Sequence, residues 1–134
     1  MSNIISTIKA LPKLLPLKPV SADAISEAEK ELNLKFAEEY KTYVSEFGAI
    51  LADGIELTGI AKSKSRNVVS VTIQERNLNA RVPKNLYVIE NIGIDGIIVW
   101  QDESGIVYKT SPNADPLKIA ASLTGYIESK KLFV

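Results

Sequence analysis

The sequence contains neither cysteine nor histidine. Without cysteine there is no disulfide, no thiolate nucleophile and no sulfur ligand for a metal, an absence that suits a reducing compartment. Without histidine there is no side chain that titrates near neutrality unperturbed, no Ser-His or Cys-His relay, and no neutral nitrogen ligand for zinc or iron. Most hydrolase and metalloenzyme mechanisms fall away. Those that survive need tuned carboxylates, an activated lysine, or an oxygen-ligated magnesium or calcium site. An excess of charge is lacking as well: sixteen Lys and Arg balance sixteen Asp and Glu. With no basic surplus of the kind a phosphate-binding surface uses, no nucleic acid partner is expected. Long apolar runs are also missing. Lys9, Pro12, Lys13 and Pro16 break the N-terminal stretch before a secretory core can form. No window reaches the roughly 18 apolar residues of a membrane span. A cytoplasmic protein with no membrane partner is expected.

A chain of 134 residues with 46% apolar content suits one domain, residues 1–134, with a sizeable core. Ile4, Ile5, Ile8 and Leu11 predict a short helix over residues 3–11, followed by a proline-containing lead-in. Ser21 or Asp23 can cap a helix that runs to about Leu32, with Ile25, Ala28 and Leu32 on one face. Phe36, Tyr40, Tyr43, Val44 and Phe47 form the stripe of a second helix stopped by Gly48. Ile55 and Leu57 suggest a first strand between turns at Asp53-Gly54 and Gly59, and residues 62–66 read as exposed. The stretch NVVSVTIQERNLNARVP is strand-like in composition at its start and helix-like at its end, and periodicity leaves both open. Residues 86–90, 97–100 and 106–110 read as an antiparallel meander. Pro116, after a possible cap at Asp115, opens a final helix to about Ser129 that buries Leu117, Ala120, Leu123 and Ile127. The fold class is α+β: an N-terminal helix pair, a mixed but mainly antiparallel sheet, and a C-terminal helix packed on it.

The string AISEAEKELNLKFAEEYKTYVSEFG resembles the opening helix pair of the Smi/Knr family of the SUKH superfamily, with Phe36-Ala37 where that family often has leucine-proline. Further on, Pro83-Lys84-Asn85-Leu86-Tyr87-Val88-Ile89-Glu90-Asn91, then Gly93-Ile94-Asp95-Gly96, Trp100-Gln101-Asp102, Gly105 and Val107-Tyr108 follow the family's order. The resemblance covers about residues 20–128. It implies that residues 67–79 form a helix and that the sheet serves as a recognition scaffold with no chemistry or cofactor of its own. Bacterial members of the family are mostly immunity proteins that bind and neutralise a toxin domain; eukaryotic members regulate cell-wall synthesis through protein partners. The resemblance therefore implies a non-catalytic binding module, an immunity protein whose partner is a toxin domain. A regulator or scaffold of a cell-wall or envelope pathway is the alternative.

Five carboxylates, Asp53, Glu56, Asp95, Asp102 and Glu103, lie in or beside predicted turns. They are the candidate partner-binding residues, an acidic surface for a basic toxin site; the competing reading is that they are solvated turn residues. On the first reading, Asp102→Asn with Glu103→Gln slows association with the toxin and leaves the melting temperature nearly unchanged; on the second, association keeps its rate and the candidates become Asp53, Glu56 and Asp95. An enzyme would rest on Asp95, Asp102 and Glu103, but Gly-rich exposed turns offer none of the desolvation that raises a catalytic carboxyl. As a metal site, Asp102 and Glu103 fall short of a calcium loop's ligand count. Trp100 reads as core or as an interface anchor. Tyr40, Tyr43 and Phe47 read as core, and the lysines at 62, 64, 130 and 131 as small solvated patches.

Overall fold

The computed structural model describes residues 3–131. Helix α1 (Ile4–Lys9) is followed by a two-residue strand, β1 (Leu15–Pro16), and by the helix pair α2 (Ala22–Leu32) and α3 (Glu38–Phe47). Ser21 caps α2 by accepting the Ala24 N–H, and Asn33 ends it in the left-handed conformation at φ 53°. At the corner, Phe36 N–H donates to the Glu29 carboxylate at 2.8 Å and Ala37 N–H donates to the Tyr87 hydroxyl at 2.9 Å. Side chains thus hold the bend in which Phe36-Ala37 replaces a proline. The Phe36 ring packs on Tyr87 at 4.8 Å and on Tyr40 at 5.1 Å between centroids, an arrangement worth more than its buried area alone.

Strands β2 (Ile50–Ala52) and β3 (Ile55–Leu57) form a hairpin whose outer edge pairs with β1. Strands β1 and β2 were not legible in the sequence. Gly48, at φ 72°, lets the chain turn off α3 where an added Cβ would lie 2.2 Å from the Lys18 carbonyl oxygen. Helix α4 (Val68–Leu78) resolves the ambiguous stretch in favour of a helix. The Asn67 side chain accepts the Val69 and Ser70 N–H groups and donates to the Ala61 carbonyl. Val68, Val71, Thr72 and Glu75 then turn inward at helical spacing, so cap and packing override the β-branched composition. Residues 62–65 are exposed as read, whereas Arg66 is half-buried.

Strands β4 (Tyr87–Asn91), β5 (Ile98–Gln101), β6 (Val107–Thr110) and β7 (Leu117–Ala120) make a second sheet in sequence order. Every strand pairing named here is antiparallel, and the parallel contact is an isolated bridge between Gly59 and Asn67. The two sheets adjoin where Thr58 N–H donates to Ile89 O at 2.9 Å. Alternation divides the four-stranded sheet: Tyr87, Ile89, Val99 and Val107 enter the main core with α1, α2, α3 and α5 (Leu123–Lys131), while Val88, Ile98 and Trp100 join Val71, Val82 and Leu86 in a smaller cluster. Trp100 is fully buried and donates its indole N–H to Thr110 Oγ1 at 3.0 Å.

The final helix begins later than its sequence suggests. Leu117–Ala120 pair with β6 in the register Val107↔Ala120 and Lys109↔Leu117, and Leu117 is 59% exposed. Leu123 and Ile127 are fully buried as expected. The backbone at 117–120 finds its hydrogen bonds in the sheet, and Ser122 supplies the true cap by accepting the Gly125 N–H at 2.9 Å.

Candidate partner-binding surface

The five turn carboxylates fall at opposite ends of the four-stranded sheet. Asp53 occupies the β2–β3 turn, and its N–H donates to Pro12 O at 3.0 Å. Glu56, exposed on β3, donates its backbone N–H to the Glu90 carboxylate at 2.8 Å, which places it at the Asn91 end of β4. Asp95 tips the β4–β5 turn at that same end. With Asp95 at φ 56° and Gly96 at φ 67°, and Ile97 N–H returning to Ile94 O, this is the left-handed Asp-Gly turn that matches strand twist. Asp102 and Glu103 lie past the other end of β5, beside Tyr87 and the start of α3. The five side chains therefore make two separate groups rather than one surface.

Asp102 is also not free. Its Oδ1 accepts from Ser104 Oγ at 2.6 Å and from the Ile106 N–H at 3.1 Å, and its Oδ2 accepts from the Tyr108 hydroxyl at 2.9 Å. Burial pushes the carboxyl up, but the hydrogen bonds from Ser104, Tyr108 and Ile106 outweigh it and hold the group below its ordinary range. Asp102 therefore fastens the β5–β6 turn, and substituting it carries a stability cost that the sequence reading did not foresee. Glu103 is exposed. It adds a smaller attraction to that of Glu38, whose hydrogen bond chiefly raises the Lys41 amine against a modest burial penalty.

Three further carboxylates, which sequence patterning does not single out, are drawn inside. Glu29 caps the corner at Phe36. Glu39 accepts from the backbone N–H groups of Leu123 and Thr124 and from the Thr124 hydroxyl. Glu90, with its side chain 4% exposed, takes Lys130 Nζ at 2.6 Å, the Glu56 N–H and the Tyr126 hydroxyl. Each neutralises backbone or side-chain donors from a distant element, so these acids are structural fasteners. A cleft of about 490 Å³ between α1, α2 and α3 is lined by Glu29, Glu38, Lys41 and Glu46 and includes none of the five turn residues. Among the described residues, no three His, Cys, Asp or Glu side chains gather as a metal site.

The sequence profile of SUKH_5, described as SMI1-KNR4 cell-wall, matches residues 1–130. The chain belongs to the SUKH_5 family. The match takes in the N-terminal helix, which the resemblance to the Smi/Knr family had left outside its span. No curated protein matches the chain. The α+β fold expected of a SUKH protein is present, with five helices and two antiparallel sheets among the described residues. No helix among them is long and apolar enough to cross a membrane.

Proposed function

We propose that this SUKH_5 protein is a non-catalytic binding module, and specifically an immunity protein that binds a toxin domain in the cytoplasm and occludes it. The observation that carries the reading is the family match over residues 1–130. The arrangement of acids supports it: Glu29, Glu39, Glu90 and Asp102 are bound to groups of the fold, and of the exposed acids Asp53, Glu56 and Asp95 lie towards one end of the four-stranded sheet and Glu103 towards the other. Dispersed loop charges suit recognition of a protein surface, which needs complementarity over an area rather than convergence on a reacting atom. Neither nucleic acid nor membrane is proposed as a partner.

The test is co-expression with the product of the neighbouring gene, followed by affinity capture of the tagged chain from its native host. One dominant partner, whose toxicity is relieved by the chain, is the expected result. The family description, SMI1-KNR4 cell-wall, favours a second reading, a regulator or scaffold in a cell-wall pathway. Recovery of several envelope proteins without any rescue from a toxin would replace the first reading with the second.

A further inference from the structure

Glu75 lies in the last turn of α4, at helical spacing from Val71 and Leu78. The residue is only 9% exposed, yet no hydrogen bond or ion pair among the described residues engages its carboxylate. Neither carboxylate oxygen is sealed from water, because the sealed side-chain polar atoms without a partner belong to Arg66 and Arg76. The cavity that Glu75 helps to line, about 250 Å³ between α4, the four-stranded sheet and the loop after β6, has apolar walls from Leu78, Ile98, Trp100 and Pro112. Glu75 is the one charged residue in its lining.

A carboxylate held this far from bulk water costs free energy unless donors offset the loss. Burial raises the Glu75 carboxyl above its ordinary range, and the negative end of the helix dipole, at the last turn, disfavours an anion there as well. The other buried acids, Glu29, Glu39 and Glu90, each hold donors from a distant element; Glu75 holds none. The arginines nearest to it in the chain are engaged elsewhere, Arg76 with the Lys84 and Leu86 carbonyls and Arg81 with Asp115. Glu75 is therefore a local inconsistency of the kind that marks a binding site, an acid that gives the fold nothing and faces a donor only when one comes from outside. Leu78 and Pro112 are exposed, so the cavity is open on their side. The β4–β5 turn, whose Gly96 forms part of the wall, carries the exposed Asp95 next to it.

We propose that this cavity receives an arginine side chain of a protein partner, whose guanidinium donates to the two Glu75 oxygens while its methylene stem lies along Leu78 and Pro112. The planar guanidinium matches a carboxylate with two parallel N–H groups and gives up water more readily than an ammonium. Its stem suits the apolar walls. The proposal rests on the binding-module reading for the source of the arginine, and it names the chemistry that the partner presents. The sign of charge agrees with the basic partner surface expected from the turn carboxylates, but the residue that receives it is one the sequence did not single out.

The experiment is a titration of the full, isotope-labelled chain, following the Glu75 carboxyl carbon and the Trp100 indole N–H by NMR. The probes are the N-acetyl amides of arginine, lysine and norleucine. The arginine probe should move both resonances to saturation at millimolar concentration, the lysine probe should need more, and the norleucine probe, with an uncharged stem, should leave the carboxyl carbon unmoved. Glu75→Gln keeps the shape and should weaken the arginine probe by about tenfold. Its melting temperature should be no lower than the parent's, since the carboxylate holds nothing in the fold. A linear drift with the arginine probe, equal saturation by norleucine, or a Glu75→Gln chain that binds arginine as the parent does overturns the proposal. Tighter saturation by lysine overturns the choice of arginine, and a melting temperature lowered by several degrees in Glu75→Gln makes Glu75 a fastener of the fold and overturns it as well. A partner captured equally by the parent and by Glu75→Gln overturns the pocket and leaves the binding-module reading standing. Saturation by the arginine probe with no partner recovered overturns that reading, and with it the protein source of the arginine.

Discussion

The Glu39 carboxylate on α3 caps α5, accepting the Leu123 N–H at 2.6 Å and the Thr124 N–H at 2.9 Å. Ser122 takes the Gly125 N–H, so the open donors of the helix's first turn are satisfied from two directions. A carboxylate at this point also meets the positive end of the helix dipole. Glu39→Gln keeps the shape but loses the charge and one acceptor, and should cost about 1–2 kcal/mol. The checks are a lowered melting temperature and faster hydrogen exchange at Leu123 and Thr124 than along α2. An unchanged melting temperature would remove Glu39 from this role.

The boundary between β7 and α5 is tested by a pair of leucines. Leu117 is 59% exposed on β7 and Leu123 is fully buried in α5. Leu117→Ala should fall within about 0.5 kcal/mol of the parent, as exposed substitutions do. Leu123→Ala should cost about 2–5 kcal/mol through lost burial and the cavity left behind. Urea denaturation of the two variants separates this arrangement from a helix starting at Pro116, which would make both costly. Deletion of everything after Ala121 removes Leu123, Tyr126 and Ile127 from the core and should abolish cooperative unfolding.

What was legible in the sequence is what local chemistry decides. Ser21, Asn33 and Gly48 mark the ends of α2 and α3 through their own backbone and side-chain preferences. The meander follows from β-rich runs parted by Gly-containing turns. What was illegible depends on partners distant in the chain. Leu117–Ala120 carry a helix-compatible pattern and become a strand because β6 offers an edge. Val68–Leu78 begin with a strand-like composition and end with a helix-like one; they form the helix that the family resemblance implied, with Asn67 capping it and Thr72 accepting the Val88 N–H. The same holds for charge. Nothing in the spacing of Glu39, Glu90 or Arg66 separates them from solvated neighbours; only the tertiary fold places Glu39 at a helix end and leaves two Arg66 donors buried and open.

Asp102 predicts a pH dependence. Its hydrogen bonds to the ionised form hold the folded carboxyl below the unfolded value of about 3.9. A group depressed in this way contributes stability above the unfolded value and loses it as pH falls through the lower, folded one. Asp102→Asn should therefore be destabilised at neutral pH, and its gap from the parent should close as pH drops below about 4. Tyr108→Phe removes one of the donors and should show a smaller gap in the same window. Denaturant midpoints measured from neutral to acid pH provide the comparison, and a gap that is constant across the series would contradict the assignment.

Glu90 joins three elements, and its removal should be the most damaging of these substitutions. Its Oε2 accepts the Glu56 N–H of β3 at 2.8 Å, and its Oε1 accepts both Lys130 Nζ at 2.6 Å and the Tyr126 hydroxyl of α5. Burial, reinforced by the neighbouring Glu90 charge, raises the Tyr126 hydroxyl far above its ordinary range, so it stays protonated and donating. Lys130 also lies over the Tyr126 ring at 5.3 Å, which ties the cation to the same place. Removing the carboxylate strands a backbone N–H, a buried hydroxyl and a partly buried amine, and Glu90→Ala should cost about 3–5 kcal/mol. Lys130→Ala should cost less, because the side chain is 24% exposed and the carboxylate it leaves behind retains two donors. The double variant should be less destabilised than the sum of the singles, with a coupling of about 0.5–3 kcal/mol. Chemical denaturation of the four proteins measures the cycle. A Glu90→Ala cost no greater than that of the exposed Glu128→Ala would show that Glu90 does not hold α5 in place.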